Sequence, residues 1–485
     1  MKSRGGARLA LTCALGVLGT PAASPADRIP ITTSSEEARQ LYLKGRDLSE
    51  KLRATDARAL FEQAAAKDPG FALAQVGLAN SAGTPKQFFD AVARAVALAS
   101  KVSEPEKLVV CALEAGAKGE PARQEACLTR LVAACPDDER VLNLVGAFHF
   151  GRQDYKASIA AYTKATEINP AFSQPYNQMG YAQRFLGRYD EAEHAFRKYI
   201  ELLPNDPNPY DSYAELLMKR GRFEDSIESY ERALSVDPHF VASYVGIGND
   251  YVFLGRPAEA RRAYARLTAA ARNDGERRLA HFWTAMSYVH EGAADEALAE
   301  LEKMAALDEA GKDPVALSAA LAQMGNVLLE AGRVDEASAR FSEQVAAVDK
   351  ADVAPEVKAA TRRQGLFEEA RVALARNDVA TATAKAAAYK TAVAVKDIPF
   401  EVRQGHELAG RIALAEKKYA EAVDELRQAN QQDPRVVYLT AVALRGKGDL
   451  QAAKETGLEA ADFNGLSATY GYVRAKARAL ATATD

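Results

Sequence analysis

The sequence is poor in the residue types that carry most metal and enzyme chemistry. Its 485 residues include six histidines, four cysteines and one tryptophan, Trp283. The histidines show no H-x-x-x-H or H-E-x-x-H spacing, and neither a G-x-x-x-x-G-K-[ST] phosphate loop nor a G-x-S-x-G nucleophile elbow occurs. We therefore expect no metal, no cofactor and no enzymatic activity, with a catalytic site assembled only on folding as the alternative.

The sequence also lacks a large excess of charge of either sign. Lys and Arg together number 62 against 66 Asp and Glu, which gives a formal charge of −4, and no basic block or Gly/Ser-rich tract is present. Nucleic-acid-binding proteins concentrate basic residues on one face. The composition therefore argues against a nucleic-acid partner, and 48% hydrophobic with 26% charged residues is ordinary for a soluble protein.

Residues 1–26 have the features of an export signal. Lys2, Arg4 and Arg8 precede a ten-residue apolar run from Leu9 to Leu18, and small-residue cleavage sites follow at residues 20–22 or 24–26. The run is shorter than the roughly 20 residues that span a bilayer. We expect a mature protein in the bacterial periplasm or cell envelope without a transmembrane segment. An uncleaved leader that acts as an anchor is the alternative.

A 34-residue pattern repeats almost four times between residues 142 and 267. Each unit has a bulky residue, a small residue four positions later, a second small residue 12 positions further, a ring four after that and, in three units, a proline eight after the ring. The units supply Leu142, Gly146, Ser158, Tyr162 and Pro170; Tyr176, Gly180, Ala192, Phe196 and Pro204; Tyr210, Ala214, Ser226, Tyr230 and Pro238; and Tyr244, Gly248, Ala260 and Tyr264. A period this strict indicates stacked repeats.

The spacing also predicts how each unit packs. Residues four apart share one face of a helix, so a first helix should pack on a second. Gly180 should let the two backbones approach, and Phe196 should fill the groove that the small residues leave. This order of residues resembles the tetratricopeptide repeat (TPR) family. The resemblance implies an all-α, right-handed superhelical solenoid of antiparallel helix pairs.

The same offsets extend beyond the regular units. Gly45, Ala57 and Phe61 start the array, and Gly410 and Ala422 belong to a late repeat. We predict about twelve helix pairs. The predicted organisation is a signal peptide (1–26), a disordered lead-in (27–35), a regular TPR array of about seven repeats (36–272), looser TPR-like helix pairs (273–465) and a C-terminal capping helix and tail (466–485).

In the family that this chain resembles, the first helices of successive repeats line a concave groove. Asn side chains there can pair with both donors and acceptors of an extended peptide, and aromatic rings offer contact surface. The candidate groove residues are Asn143, Asn177, Tyr181, Arg184, Phe185, Asp211, Glu215, Lys219, Asn249 and Phe253. Acidic residues among the basic ones argue against a pure carboxylate clamp. The alternative is that several of these side chains pack against the next repeat.

Three cysteines follow the leader. Cys127 and Cys135 are eight residues apart, about 12 Å along a straight helix, which is too far for a disulfide. Cys111 and Cys127 lie midway along the two helices of one unit, where antiparallel packing can bring them together. We hypothesise a Cys111–Cys127 disulfide, with three buried thiols as the alternative.

These observations lead to one functional interpretation and two alternatives. We expect an exported scaffold that binds a protein or peptide partner through its concave face. A periplasmic chaperone or assembly factor for envelope proteins is the first alternative. A cell-envelope enzyme without a visible motif is the second.

Overall fold

The protein is helical throughout the part of the chain that the structure, a computed structural model, describes, which is residues 28–394 and 398–483. These ranges contain 25 α-helices, one short 3₁₀ helix (Ala99–Lys101) and no strand. The predicted signal peptide lies outside them. The α-helices are α1 (Glu36–Glu50), α2 (Ala54–Lys67), α3 (Ala72–Asn80), α4 (Pro85–Leu98), α5 (Glu104–Ala117), α6 (Pro121–Ala134), α7 (Glu139–Gly151), α8 (Tyr155–Ile168), α9 (Ser173–Phe185), α10 (Tyr189–Leu202), α11 (Pro207–Lys219), α12 (Phe223–Val236), α13 (Val241–Phe253), α14 (Pro257–Ala270), α15 (Asp274–Glu291), α16 (Ala294–Ala310), α17 (Pro314–Glu330), α18 (Val334–Asp349), α19 (Pro355–Ala375), α20 (Val379–Ala394), α21 (Pro399–Ala415), α22 (Tyr419–Gln428), α23 (Pro434–Lys447), α24 (Leu450–Ala461) and α25 (Ala468–Thr482).

Successive helices pack as pairs. Helix α1 packs on α2, α3 on α4, and so on to α23 on α24, and each second helix also contacts the first helix of the next pair. The last helix, α25, packs on both α23 and α24. The predicted all-α helical repeat solenoid is confirmed.

The small residues of the first helices make room for aromatic rings. A Cβ atom added to Gly180 would lie 2.6 Å from the ring of Phe196, and one added to Gly248 would lie 2.1 Å from the ring of Tyr264. The sequence predicted that Gly180 brings two backbones together. It also predicted that Phe196 fills the space beside the glycine, and the ring lies there.

Other repeats use the same contact with small variations. A Cβ atom on Gly45 would lie 2.9 Å from Phe61, one on Gly146 would lie 2.4 Å from Tyr162, and one on Gly410 would lie 2.6 Å from Leu426. In the unit with Ala214, the Tyr230 ring faces Gly246 of the next repeat, where an added Cβ atom would lie 2.1 Å from the ring. The remaining small packing residues are fully buried: Ala57, Ala192, Ala214, Ala260 and Ala422.

A further 34-residue column lies in the turns within the regular repeats. Gly187, Gly221 and Gly255 have φ angles of 73°, 74° and 74°, and Gln153 holds the equivalent place with φ 62°. This left-handed conformation favours glycine because a side chain is strained there. The turn between paired helices is therefore fixed by backbone geometry.

The spacing loosens after residue 272 because the helices lengthen. Helix α15 has 18 residues and α19 has 21, whereas α13 and α14 have 13 and 14. Ala285, Gly325 and Ala370 lie on the first helices of successive pairs. The larger steps between these columns thus reflect extra helical turns.

The lead-in before α1 is ordered against the array, so the predicted disorder of residues 27–35 is wrong for residues 28–35. The amide nitrogen of Ile29 donates to Asp138 at 2.8 Å, that of Thr32 to Glu106 at 2.8 Å, and that of Ser34 to Asp68 at 2.7 Å. Composition could not show this, because all three acceptors are distant in the sequence. We call residues 28–35 the N-terminal strap.

Candidate partner-binding groove

Six predicted groove residues lie together on α9, α11 and α13, and we call this surface the middle groove: Tyr181, Arg184, Phe185, Glu215, Lys219 and Phe253. The phenol of Tyr181 donates to Glu215 at 3.0 Å, and the Arg184 guanidinium binds the same carboxylate at 3.1 Å. Arg184 also lies over the rings of Tyr181 and Phe185, at 4.8 and 5.1 Å. Equivalent positions of successive repeats therefore form one continuous polar and aromatic surface.

Three other predicted groove residues are closed to a partner. Asn177, Asp211 and Asn249 are 1%, 5% and 6% exposed, because they pack between neighbouring helices. Asp211 accepts a hydrogen bond from Ser243 at 2.6 Å, and Asn249 accepts one from Tyr264 at 3.2 Å. Their assignment as peptide contacts is corrected, since all three are buried, Asp211 against the next repeat and Asn249 against the second helix of its own pair.

Burial perturbs the charged groups around the middle groove. Desolvation, with the Glu215 charge as a second cause, raises the pKa of Asp211 to about 8. Desolvation, followed by repulsion from Arg184, lowers the pKa of Lys219 to about 8. Burial also holds the pKa of the Tyr181 phenol well above its ordinary value. The groove is therefore a poorly hydrated environment in which polar contacts are strengthened.

The C-terminal part of the chain lies on the middle groove. The Lys219 ammonium donates to the backbone carbonyl of Phe463 and lies 4.0 Å from the centre of its ring. The ring of Phe253 is 4.9 Å from that of Tyr470, and the Arg474 guanidinium lies 5.0 Å from both rings. Lys219 and Phe253 thus already contact a segment of the chain itself.

A cleft of about 840 Å³ remains beside this contact. Arg184, Phe185, Glu215 and Lys219 line one wall. The other wall comes from the loops around residues 431–432 and 462–467. The cleft is the part of the middle groove that stays open.

A second cavity, of about 570 Å³, lies between the N-terminal strap and the first helices of the early repeats. Asn143, the remaining predicted groove residue, lines it and donates to Gln174 at 3.1 Å. Arg46 and Asn80 line it from α1 and α3. The concave surface therefore offers a second open region some distance along the array.

The strap closes one side of this cavity through buried carboxylates. Asp68, Glu106 and Asp138 are 8%, 0% and 3% exposed. The hydrogen bond from the Thr33 hydroxyl is the main cause that lowers the pKa of Asp68. An extended segment is thus bound mainly through its own amides and hydroxyls.

The structure joins Cys111 on α5 to Cys127 on α6. Their Cα atoms are 6.1 Å apart, within the range for a disulfide. Cys135 is buried, and desolvation raises its thiol pKa. The fold thus places the two cysteines of the hypothesised disulfide within bonding reach, and a count of free thiols tests the bond.

Two further observations concern metal ligands and membrane spans in residues 28–394 and 398–483. They contain no group of three or more His, Cys, Asp or Glu side chains placed to hold a metal ion. In the same ranges, no helix combines the length and the apolar character that crossing a bilayer requires.

Comparisons with known proteins agree with the repeat geometry. Tetratricopeptide repeat family models match residues 139–172, 161–194 and 217–280. Each match falls in the region where glycines and rings alternate every 34 residues. Residues 139–194 and 217–280 are therefore tetratricopeptide repeats.

Among curated proteins, the chain is 29% identical over 86 residues to the small glutamine-rich tetratricopeptide repeat-containing protein 2 of Mycosarcoma maydis. The aligned stretch covers 18% of this chain and 24% of that protein. It is 31% identical over 97 residues to a DnaJ homolog subfamily C member 7 homolog of Dictyostelium discoideum, covering 19% and 18%. The chain therefore spans about a quarter or less of the length of these relatives.

Solved structures align with the chain only at low similarity. The Cut9 and Hcn1 hetero-tetramer of APC/C aligns with a TM-score of 0.40 and 15% identity, over 92% of this chain and 78% of that one. A tetratricopeptide repeat protein from Parabacteroides merdae aligns with a TM-score of 0.38 and 16% identity, over 53% and 99%. Likenesses this low say nothing about function.

Sequence reasoning missed the partners of the groove within the chain. Phe463, Tyr470 and Arg474 lie more than 200 residues from the groove residues that they contact. No local pattern connects the two regions. The curvature of the array brings them together, and periodicity does not give that curvature.

Proposed function

We propose that the protein is a scaffold of the bacterial cell envelope that binds a protein or peptide partner through its concave face, without catalysis. The contact between Lys219 and Phe463 carries this proposal. One groove side chain there binds a backbone carbonyl and an aromatic ring at once. These are the two kinds of group that a peptide segment presents.

The two open regions of the concave face support the same function. The cleft of about 840 Å³ and the cavity of about 570 Å³ each combine polar side chains with apolar surface. Polar groups that set orientation within apolar walls are typical of recognition sites. The proposal therefore places a partner along the concave face and not on the second helices.

Two observations support an envelope location. The leader pattern of residues 1–26 is that of an exported protein. The Cys111–Cys127 pair suits an oxidising compartment, where disulfides persist. Cell fractionation followed by N-terminal sequencing tests this, and a mature chain that starts at Ala23 or Asp27 is the expected result. An intact Met1 in the cytoplasmic fraction would contradict export.

The binding function is tested by affinity capture from envelope extracts with the mature protein and three variants. Arg46→Ala/Asn80→Ala alters the N-terminal cavity, and Arg184→Ala alters the cleft. The control, Lys164→Ala/Glu167→Ala, removes two exposed side chains of the second helix α8. All variants are compared at matched thermal stability.

A partner that is held by wild type and the control, but lost by one concave variant, is the expected outcome. The variant that loses it identifies the region used. Equal retention by all four proteins would place the site elsewhere and contradict the proposal. Binding to unfolded chains but not to native partners would favour a chaperone. Enzymatic turnover that is lost when a single groove carboxylate is replaced would favour an enzyme.

A further inference from the structure

The C-terminal residues 463–476 contact the concave face along several repeats. Phe463 meets α11 through Lys219, and Tyr470 meets α13 through Phe253. Lys476 forms an ion pair with Glu330 of α17. The segment therefore follows the groove from repeat to repeat, as a bound partner would. We call residues 463–476 the internal segment.

The internal segment has two parts with different conformations. Phe463 belongs to the loop before α25, where Asn464 has a positive φ of 40°. Tyr470 and Arg474 lie four apart on α25 and therefore share one helix face. An aromatic residue in a loop is thus followed, seven and eleven positions later, by an aromatic residue and an arginine on a helix.

Each of these groups finds a complementary group in the groove. Phe463 offers its carbonyl and ring to the Lys219 ammonium, and such cation–π contacts strengthen where water is excluded. The Arg474 guanidinium lies 5.0 Å from the Phe253 ring while Tyr470 packs edge-on against the same ring. The groove therefore recognises the internal segment through one cation, Lys219, and one aromatic ring, Phe253.

Helix α25 also approaches the groove backbone closely. A Cβ atom on Gly471 would lie 3.6 Å from the carbonyl oxygen of Met286 on α15. Tyr470 and Arg474 are only 2% and 6% exposed. The segment is thus seated in the groove, and a second peptide cannot contact Phe253 while it is there.

We propose that the middle groove recognises a partner segment with the chemistry of the internal segment, a loop aromatic residue followed by a helical aromatic–arginine pair, and that the internal segment must leave before this partner binds. This inference rests on the proposed function and deepens it by naming the chemistry of the partner. We infer this chemistry from the internal segment, because it already occupies the middle groove.

The probe is a fluorescent peptide copy of residues 461–482, added to the full-length protein. In the release variant, Tyr470→Ala/Arg474→Ala, the internal segment loses both contacts with Phe253 while the groove keeps its residues. We expect this variant to bind the peptide at least tenfold more tightly than wild type. The Phe463→Ala variant changes only the loop and should raise the affinity for the peptide by a smaller factor. It replaces the release variant in this test if the release variant does not fold.

Specificity is tested from both sides of the contact. Lys219→Met/Phe253→Ala in the release background should abolish binding of the peptide. A peptide that carries alanine at the positions of Phe463, Tyr470 and Arg474 should not bind the release variant. Circular dichroism melting shows that each protein is folded.

Several outcomes of the peptide experiment would overturn the inference. They are equal affinity of wild type and the released proteins, binding that survives loss of Lys219 and Phe253, and absence of binding by every folded variant. Dimers of the release variant in light scattering would identify a second copy as the occupant and would also overturn it. Peptide binding without any captured envelope partner would instead refute the proposed function alone.

Discussion

The glycine-to-ring contact of the second regular unit, Gly180 with Phe196, gives the sharpest test of the packing. Phe196 is fully buried, and its Cε1, Cζ and Cδ1 atoms lie 2.6, 2.6 and 2.8 Å from a Cβ atom placed on Gly180. The ring is held edge-on by Tyr181, 5.2 Å away. It therefore has little room to move when a side chain appears beside it.

The two single substitutions should each destabilise the repeat. Phe196→Ala should lower the free energy of unfolding by about 3–5 kcal/mol, because it opens a cavity. Gly180→Leu should lower it by at least about 1–3 kcal/mol, because the added side chain overfills the contact. If the sites were independent, the double variant would lose about 4–8 kcal/mol.

The double variant should instead be no less stable than Phe196→Ala alone, because the new leucine occupies space that the ring has left. This corresponds to a coupling of about 1–3 kcal/mol in the direction of stability. Urea unfolding followed by circular dichroism measures the stabilities. Amide exchange of α9 and α10 reports the local effect, since a repeat array can unfold in parts.

Gly151→Leu is the matched control, because Gly151 ends α7 with nothing within 4 Å of an added Cβ atom. It should change stability by no more than about 0.5 kcal/mol. Additivity of Gly180→Leu and Phe196→Ala within about 0.5 kcal/mol would refute the contact. A Gly180→Leu protein that melts like wild type would show that the repeat register is wrong.

Three further predictions concern the disulfide, a buried acid and the strap. The mature protein, unfolded without reductant, should show one free thiol, Cys135, and a count of three would rule out the Cys111–Cys127 bond. Burial raises the pKa of Asp250 to about 8, so the stability contributed by its protonated form is lost as pH rises through 8. The Asp250→Asn variant should therefore lose less stability than wild type between pH 6 and 9 in urea titrations. Parallel losses in the two proteins would contradict this. Thr32→Val removes the hydroxyl bonded to Glu106 at 2.5 Å and should cost about 1 kcal/mol, with several-fold faster amide exchange in residues 28–35; unchanged exchange would show that the strap does not depend on this bond.

The regular part of the fold follows from periodicity. A small residue at the position of Gly180 and a ring at that of Phe196 recur every 34 residues, so the pattern locates both helices of each pair. The turn glycines, such as Gly187, could have been found in the same way, because they share that period. Periodicity was less informative after residue 272, where extra turns lengthen the helices without a fixed step.

The candidate site could be predicted only in part. The pattern places Arg184, Glu215 and Lys219 on first helices, but it does not distinguish a side chain that faces the groove from one packed against the next repeat. Asp211 is of the second kind, and Asn249 is buried against Tyr264 of its own helix pair. Their exposure depends on how tightly successive first helices approach, and that distance is a property of the folded array.

The contacts of the two chain ends explain why the concave face matters more than any single residue on it. The N-terminal strap binds buried carboxylates through its amides, and the internal segment binds Lys219 through a carbonyl and a ring. Both ends thus present backbone groups to side chains at the edge or inner surface of the array. A solenoid leaves such groups available because each repeat contacts only its neighbours. The surface that binds segments of its own chain is the one that a foreign segment of the same chemistry would use, so the affinity of the internal segment sets the minimum that any partner must exceed.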